Sequence, residues 1–365
     1  MKLWKHMLIS VLSITGINAF TQERLKLVSA DSLVSETVDH QDIWTLWGHV
    51  RLTQEEAFIE CGWARWWEKE DRALLRDHVM IFDGKRTLKA DQVDYRGQER
   101  IESASGHVSL ESGQRLLTAE FIDYNQNQER AYAKEDVVIT DLVEKVTLKG
   151  NRAEYDRQLD YSFVEGSPQL IGVDSTSKEE IVVTGFKMEA WGKEQRVLVS
   201  DSVQIQKGDL NAICQNADYR SNADLLMMTG VPILYYQKQE MRGDTIHVQF
   251  DDFRFQGGTI QGNAEIVSLD SLFKDVLKGE RMTIVATDDT IRSVVVEDQA
   301  SSVYHVFDEQ ERYQGMNSVT GDRIILTLSD GNIEKIYVES NPGQCTGTYT
   351  PEKSDTTIGS GSLEE

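Results

Sequence analysis

Ala90-Asp91-Gln92-Val93-Asp94-Tyr95 returns 29 residues later as Ala119-Glu120-Phe121-Ile122-Asp123-Tyr124. The same small-x-x-aliphatic-x-aromatic pattern reads Cys61-Gly62-Trp63-Ala64-Arg65-Trp66, Gly150-Asn151-Arg152-Ala153-Glu154-Tyr155 and Cys214-Gln215-Asn216-Ala217-Asp218-Tyr219. Weaker copies start at Ala30, Gly185, Gly243, Gly279 and Gly321. Between copies lie Gly48-His49-Val50, Asp77-His78-Val79 and Gly106-His107-Val108, again 29 residues apart. A period of this length marks a stack of small supersecondary units, each too short to bury a face alone.

Within a unit the periodicity is that of a strand. Thr87-Leu88-Lys89-Ala90-Asp91 and Thr147-Leu148-Lys149-Gly150-Asn151 alternate polar and apolar residues. The phase then slips by one, because Val93 and Tyr95 are the next apolar positions after Ala90. A bulge or bend after the small residue accounts for that slip. Two strands and two turns fill about 29 residues. The expected fold is all-β, an elongated open β-jellyroll or solenoid-like stack of V-shaped hairpin turns, apolar inside and charged outside. The longer spacings, between Tyr155 and Gly185 and between Gly243 and Gly321, are expected to form loops. A short helix is expected only within Asp270–Gly279.

The ends and the composition set further bounds. Residues 1–20 read as a cleavable export signal: Lys2 and Lys5 precede the apolar stretch Met7–Ile17, and Asn18-Ala19 precede a cut near Phe20–Thr21. Export places the chain in the periplasm. The repeat fills 21–345 as one module or two, 21–230 and 231–345, and residues 346–365 read as a disordered tail rich in Ser, Thr and Gly. With 61 acidic and 38 basic side chains the formal charge is −23, which excludes nucleic acid as a partner. Three cysteines form no disulfide framework. Cys61 and Cys214 occupy the small-residue position and read as small buried hydrophobes, while Cys345 is left over.

The apolar column reads as a packed core or as a greasy slot for acyl chains. Its candidate lipid-contacting residues are Ile59, Ala64, Trp66, Leu88, Ala90, Val93, Tyr95, Leu117, Ala119, Ile122, Tyr124, Leu148, Ala153, Tyr155, Ala217 and Tyr219. His49, His78 and His107 share one repeat position and raise a three-His metal site. A flat ladder at about 4.8 Å does not converge on one ion, so the blander reading is a duplicated residue at the start of a solvated strand. Acidic pairs such as Glu55-Glu56, Asp251-Asp252 and Asp288-Asp289 fall at different places in their repeats and read as solvated turns. No hydrolase, phosphate-loop or zinc-protease motif is present, and neither catalysis nor a cofactor is expected.

The repeated turns resemble the OstA-like family of periplasmic lipopolysaccharide-transport proteins. So does the closing run Tyr313-Gln314-Gly315-Met316-Asn317, Gly321-Asp322-Arg323-Ile324-Ile325-Leu326, Asp330-Gly331-Asn332-Ile333 and Ile336-Tyr337-Val338. That resemblance, over about residues 25–345, implies an open β-jellyroll whose interior shields lipid A chains. It also implies edge-strand pairing with the jellyrolls of inner- and outer-membrane transport components, or with a second copy, to bridge the two membranes. This chain is about twice the length of one family module. The alternatives are an exported β-helix enzyme acting on polysaccharide, an outer-membrane barrel and a purely structural β-solenoid.

Overall fold

The computed structural model describes residues 24–351 apart from 40, 55–56, 144, 174–177, 252–253, 269–272, 288, 309, 311 and 330–331. The expected export signal therefore lies outside the described residues, as does the tail beyond residue 351. The chain folds into two compact units, one ending at Met228 and the other beginning at Thr229. Among the described residues every regular element is a strand.

The first unit comprises β1 (Lys26–Ser29), β2 (Ser32–Val38), β3 (Gln41–Gln54), β4 (Ala57–Trp67), β5 (Arg72–Phe82), β6 (Arg86–Arg96), β7 (Ile101–Ser112), β8 (Arg115–Asn125) and β9 (Arg130–Asp141). It continues with β10 (Val146–Asp156), β11 (Tyr161–Glu165), β12 (Gln169–Val173), β13 (Glu180–Thr184), β14 (Lys187–Trp191), β15 (Arg196–Lys207), β16 (Leu210–Arg220) and β17 (Leu225–Thr229). From β3 to β10 each strand pairs antiparallel with the next, and each ladder is broken once near its middle. In the β5–β6 pair, for example, the register shifts between Arg76 and Val79.

The break is a corner. Gly48-His49, Asp77-His78, Gly106-His107, Glu135-Asp136 and Asp201-Ser202 each place two successive residues at positive φ, between 43° and 78°. Gly, Asp and His are among the residues that tolerate this left-handed region. The histidines therefore do not start strands, as the sequence suggested. They sit at mid-strand, where the chain folds over. Each bent strand contributes one stretch to a first limb (50–61, 79–90, 108–119, 137–150) and one to a second (63–76, 92–105, 121–134, 152–156). Where the corner is wider, one bent strand is recorded as two: β11 and β12 pair with the two halves of β10 on either side of Gly166-Ser167.

The small residue of the repeat sits opposite the corner, for a packing reason. A Cβ on Gly150 would collide with the Cγ1 of Val164, two residues before Gly166 on the neighbouring strand. Leu75 and Ala104 stand in the same relation to the corners at Asp77 and Gly106, and both are fully buried. At the tips of the second limb the hairpin turns stack through backbone bonds: Gly97 N donates to Asp71 O at 2.8 Å, Gln126 N to Arg100 O at 2.9 Å and Arg157 N to Glu129 O at 3.0 Å.

The second unit comprises β18 (Ile233–Tyr236), β19 (Gln239–Arg242), β20 (Thr245–Asp251), β21 (Arg254–Ser268), β22 (Val276–Thr287), β23 (Thr290–Phe307), β24 (Tyr313–Ser329), β25 (Asn332–Glu339) and β26 (Thr346–Pro351). It repeats the corner at Gly262-Asn263 and Asp298-Gln299 and buries Ile246, Ile260, Met282, Ile284, Val296 and Ile324.

Three expectations are corrected. The long spacings are not loops: 155–185 contains β11–β13, and Gly243–Gly321 is taken up by strands of up to 18 residues. No helix occupies 276–279, because Val276 and Leu277 pair with Val267 and Ile266 as the start of β22; residues 270–272 lie outside the described residues. Thr346–Pro351 is not a disordered tail but a strand paired with Gly315–Thr320 of β24.

Overpacking at the corner is expected to be costly. Gly150→Val should lower stability by about 1–3 kcal/mol, and adding Val164→Ala should recover part of that loss. Urea unfolding followed by tryptophan fluorescence checks both; no loss from Gly150→Val would contradict the packing argument.

Candidate functional site

All sixteen candidate residues point inward and are buried. Ile59, Leu88, Ala90, Leu117, Ala119 and Leu148 come from the first limb. Ala64, Trp66, Val93, Tyr95, Ile122, Tyr124, Ala153 and Tyr155 come from the second, while Ala217 and Tyr219 lie farther along on β16. The two limbs meet in one apolar interior. Leu117 and Ile139 from the first face Ile122, Ala133, Ala153 and Tyr155 from the second around a cavity of about 10 Å³. That is room for one water.

The corner edge of the V is continuous backbone, so the opposite edge, between the hairpin tips, is its mouth. Polar side chains tie it shut. The Tyr95 hydroxyl donates to Gln54 Oε1 at 2.9 Å across the mouth, and Gln54 is itself buried. The next tie is ionic: Arg86, 4% exposed, donates from Nη2 to both Glu102 carboxylate oxygens at 3.0 Å and from Nε to Asp83 at 2.5 Å. Its guanidinium lies 5.8 Å from the centre of the Tyr124 ring. Burial works to lower the Arg86 pKa, but Glu102 and Asp83 outweigh it and hold the group above its ordinary value. Asp83 is also held by the backbone N–H groups of Lys85 and Arg86.

The aromatic column follows the same mouth. Burial raises the Tyr95, Tyr124 and Tyr155 phenols, Tyr124 to about 12, so all three stay protonated donors at neutral pH. Trp66 holds the equivalent place, and its buried Nε1 has no hydrogen-bond partner. The ties escaped the sequence reading, although a signal existed. Glu102 interrupts a column that reads Ala73, Glu102, Ala131, and Arg86 one that reads Ala57, Arg86, Arg115, Val146. A charge at a repeat position that other copies fill with Ala or Val marks a special site, and Arg115 repeats the Arg86 charge one copy on.

The other candidates lie outside this interior. His49 and His107 are exposed on the corner line and donate from Nδ1 to Asp31 and Asp91, each at 2.8 Å. Among the described residues no three His, Cys, Asp or Glu side chains converge as a metal site. Glu55 and Glu56 fall outside the described residues, as do Asp252 and Asp288; Asp289 accepts from Phe255 N at 2.7 Å.

Comparison with known proteins bears on the first unit. Residues 22–167 match the family model described as OstA-like protein. This segment is similar to the OstA-like family. It runs from the first strands to the corner at Gly166-Ser167, and the bent-strand pattern continues past it at Asp201-Ser202, Gly262-Asn263 and Asp298-Gln299. Among solved structures, the chain is similar to LptH of Pseudomonas aeruginosa, described as the LptA-homologous periplasmic component of the lipopolysaccharide transport device. The identity is 15%, covering 32% of this chain and 82% of LptH, with a TM-score of 0.29. No curated protein matches.

Cysteine chemistry checks the inward placement. Burial raises Cys61 to about 11 and Cys214 to about 12, and both lie inside, whereas Cys345 is exposed. At pH 8, Ellman's reagent should titrate one thiol promptly in the native protein and three in denaturant. Prompt reaction of two or more native thiols would contradict the assignment.

Proposed function

We propose that this protein is a periplasmic carrier of acylated lipid, of the lipopolysaccharide class, that shields acyl chains between the two limbs of the OstA-like unit. The reading rests on one observation above all: an apolar interior passes from strand to strand, while at its mouth a hydrogen bond, Tyr95–Gln54, and an ion pair, Arg86–Glu102, cross between the limbs. A dry core has no use for such ties, since burying charge at a sheet edge is costly. The family match supports the same reading.

The energetics allow it. Each methylene moved from water to an apolar site contributes about 0.8 kcal/mol, so a tail of a dozen carbons gains on the order of 10 kcal/mol. An intramolecular hydrogen bond contributes about 1 kcal/mol net. Tail burial therefore outweighs the two ties across the mouth. Between Leu117 and Tyr155 the cavity holds only a water with the limbs together, so a tail lodging there requires them to part.

Partner jellyrolls, or a second copy, would attach by strand addition. Every residue of β2 is exposed, and Leu33, Val34 and Val38 add apolar surface along that edge. This carrier role involves neither catalysis nor a cofactor. The tight cavity also suits a second reading, a purely structural β-stack whose interior never opens.

A photo-crosslinking residue at Ile122 or Tyr124, in protein isolated from the periplasm, separates the two. The carrier reading expects an acylated adduct from the inward positions, none from the exposed Glu120, and bound lipid in native mass spectra. Lipid-free spectra with no adduct at Ile122 or Tyr124 would leave the structural stack.

A further inference from the structure

We propose that the buried Arg86–Glu102 pair is the gate of the first unit: the limbs part there to admit acyl chains, and the pair is charged so that they can. The proposal deepens the carrier reading by naming where the interior opens.

The first point is position. Arg86 lies at the tip of the first limb, beside the turn that holds Asp83, and Glu102 at the tip of the second, opposite Tyr95 in the β6–β7 ladder. Their bond crosses the mouth rather than running along a strand. Gln54 and Tyr95 cross it one step away. Burial further along the sheet, such as that of Leu88 and Val93, lies behind these ties.

The second point is energetic. A buried ion pair recovers in attraction roughly what it loses in hydration, and replacing such a pair by apolar side chains of similar volume is often neutral or stabilising. An apolar seal is lost outright when it is pulled open into water. A charged seal is not, because each separated group regains its hydration shell. At the gate the separated partners have somewhere to go: Asp83 stays on Arg86 at the first-limb turn, and parting the limbs opens the buried Glu102 to water. Both positions accept apolar residues, since Ala73 and Ala131 flank Glu102 in the repeat, and the column of Arg86 holds Ala57 and Val146 besides Arg115. Charge is therefore not required for the fold at this place.

The test makes the seal apolar and reads opening without lipid. Cys61 faces the same interior from β4, two strands from β6. Its N-ethylmaleimide labelling, followed by peptide mass spectrometry on the full chain, reports how often the limbs part, with exposed Cys345 and distant Cys214 as internal references. In R86M/E102L, Cys61 labelling should slow about ten-fold with the two references unchanged and the melting temperature not lowered. Uptake of cis-parinaric acid should slow in parallel. Unchanged or faster Cys61 labelling in the folded variant would overturn the gate. If R86M/E102L does not fold, Q54M/Y95F makes the same exchange at the neighbouring tie and carries the same expectation. Slower Cys61 labelling in a protein whose wild type takes up no cis-parinaric acid would keep the gate and sink the carrier reading instead.

Discussion

The structure depends on one packing constraint at the corner. Every second strand from β3 to β9 turns the corner on two residues in the left-handed region, and the strand beside it leaves room for the apolar side chain just before them. Gly, Asp and His meet the first demand at Gly48-His49, Asp77-His78 and Gly106-His107. A small residue opposite meets the second, as Gly150 does for Val164. Because every copy meets both, the corners line up and the sheet folds along them. The apolar interior, the outward charges and the mouth all follow from that line.

This constraint explains how much could be read in advance. Ala90, Ala119 and Gly150 were legible because a small residue recurring between alternating strands has few other uses, and the phase slip from Ala90 to Val93 announced the bulge. The inward face was legible for the same reason: alternation fixes which side chains share a face. The histidines were misplaced because their role is conformational. Nothing in the side chain of His107 distinguishes the start of a strand from a left-handed corner, and only its place in the register break between Ser105 and Val108 does so. The long spacings were misread because extra residues can lengthen strands as readily as loops. The 18 residues of β23 alternate on either side of the corner at Asp298-Gln299, burying Val294 and Val296 before it and Ala300 and Ser302 after it.

The mouth was the least legible part. Tyr95 and Gln54 are 41 positions apart and Arg86 and Glu102 are 16 apart, so neither pair is local. Periodicity reports what the copies share, such as Tyr95, whereas its partner Gln54 and the carboxylate of Glu102 are residues in which single copies differ. The formal charge takes on a different meaning with them. Most acidic groups line the outer face, the turns and the corner, where Asp31 and Asp91 hold histidines. Glu102 is an exception, buried against a single arginine that spans the two limbs.

The central claim is that the limbs separate around an acyl chain, and a distance across the mouth measures it directly. Spin labels at Lys85 and Glu99, both exposed on turns at the tips of opposite limbs, would report it in a chain whose three cysteines are replaced. The account predicts a distance distribution that shifts to longer values when acylated lipid is added and returns when the lipid is removed. An unchanged distribution at saturating lipid would contradict it.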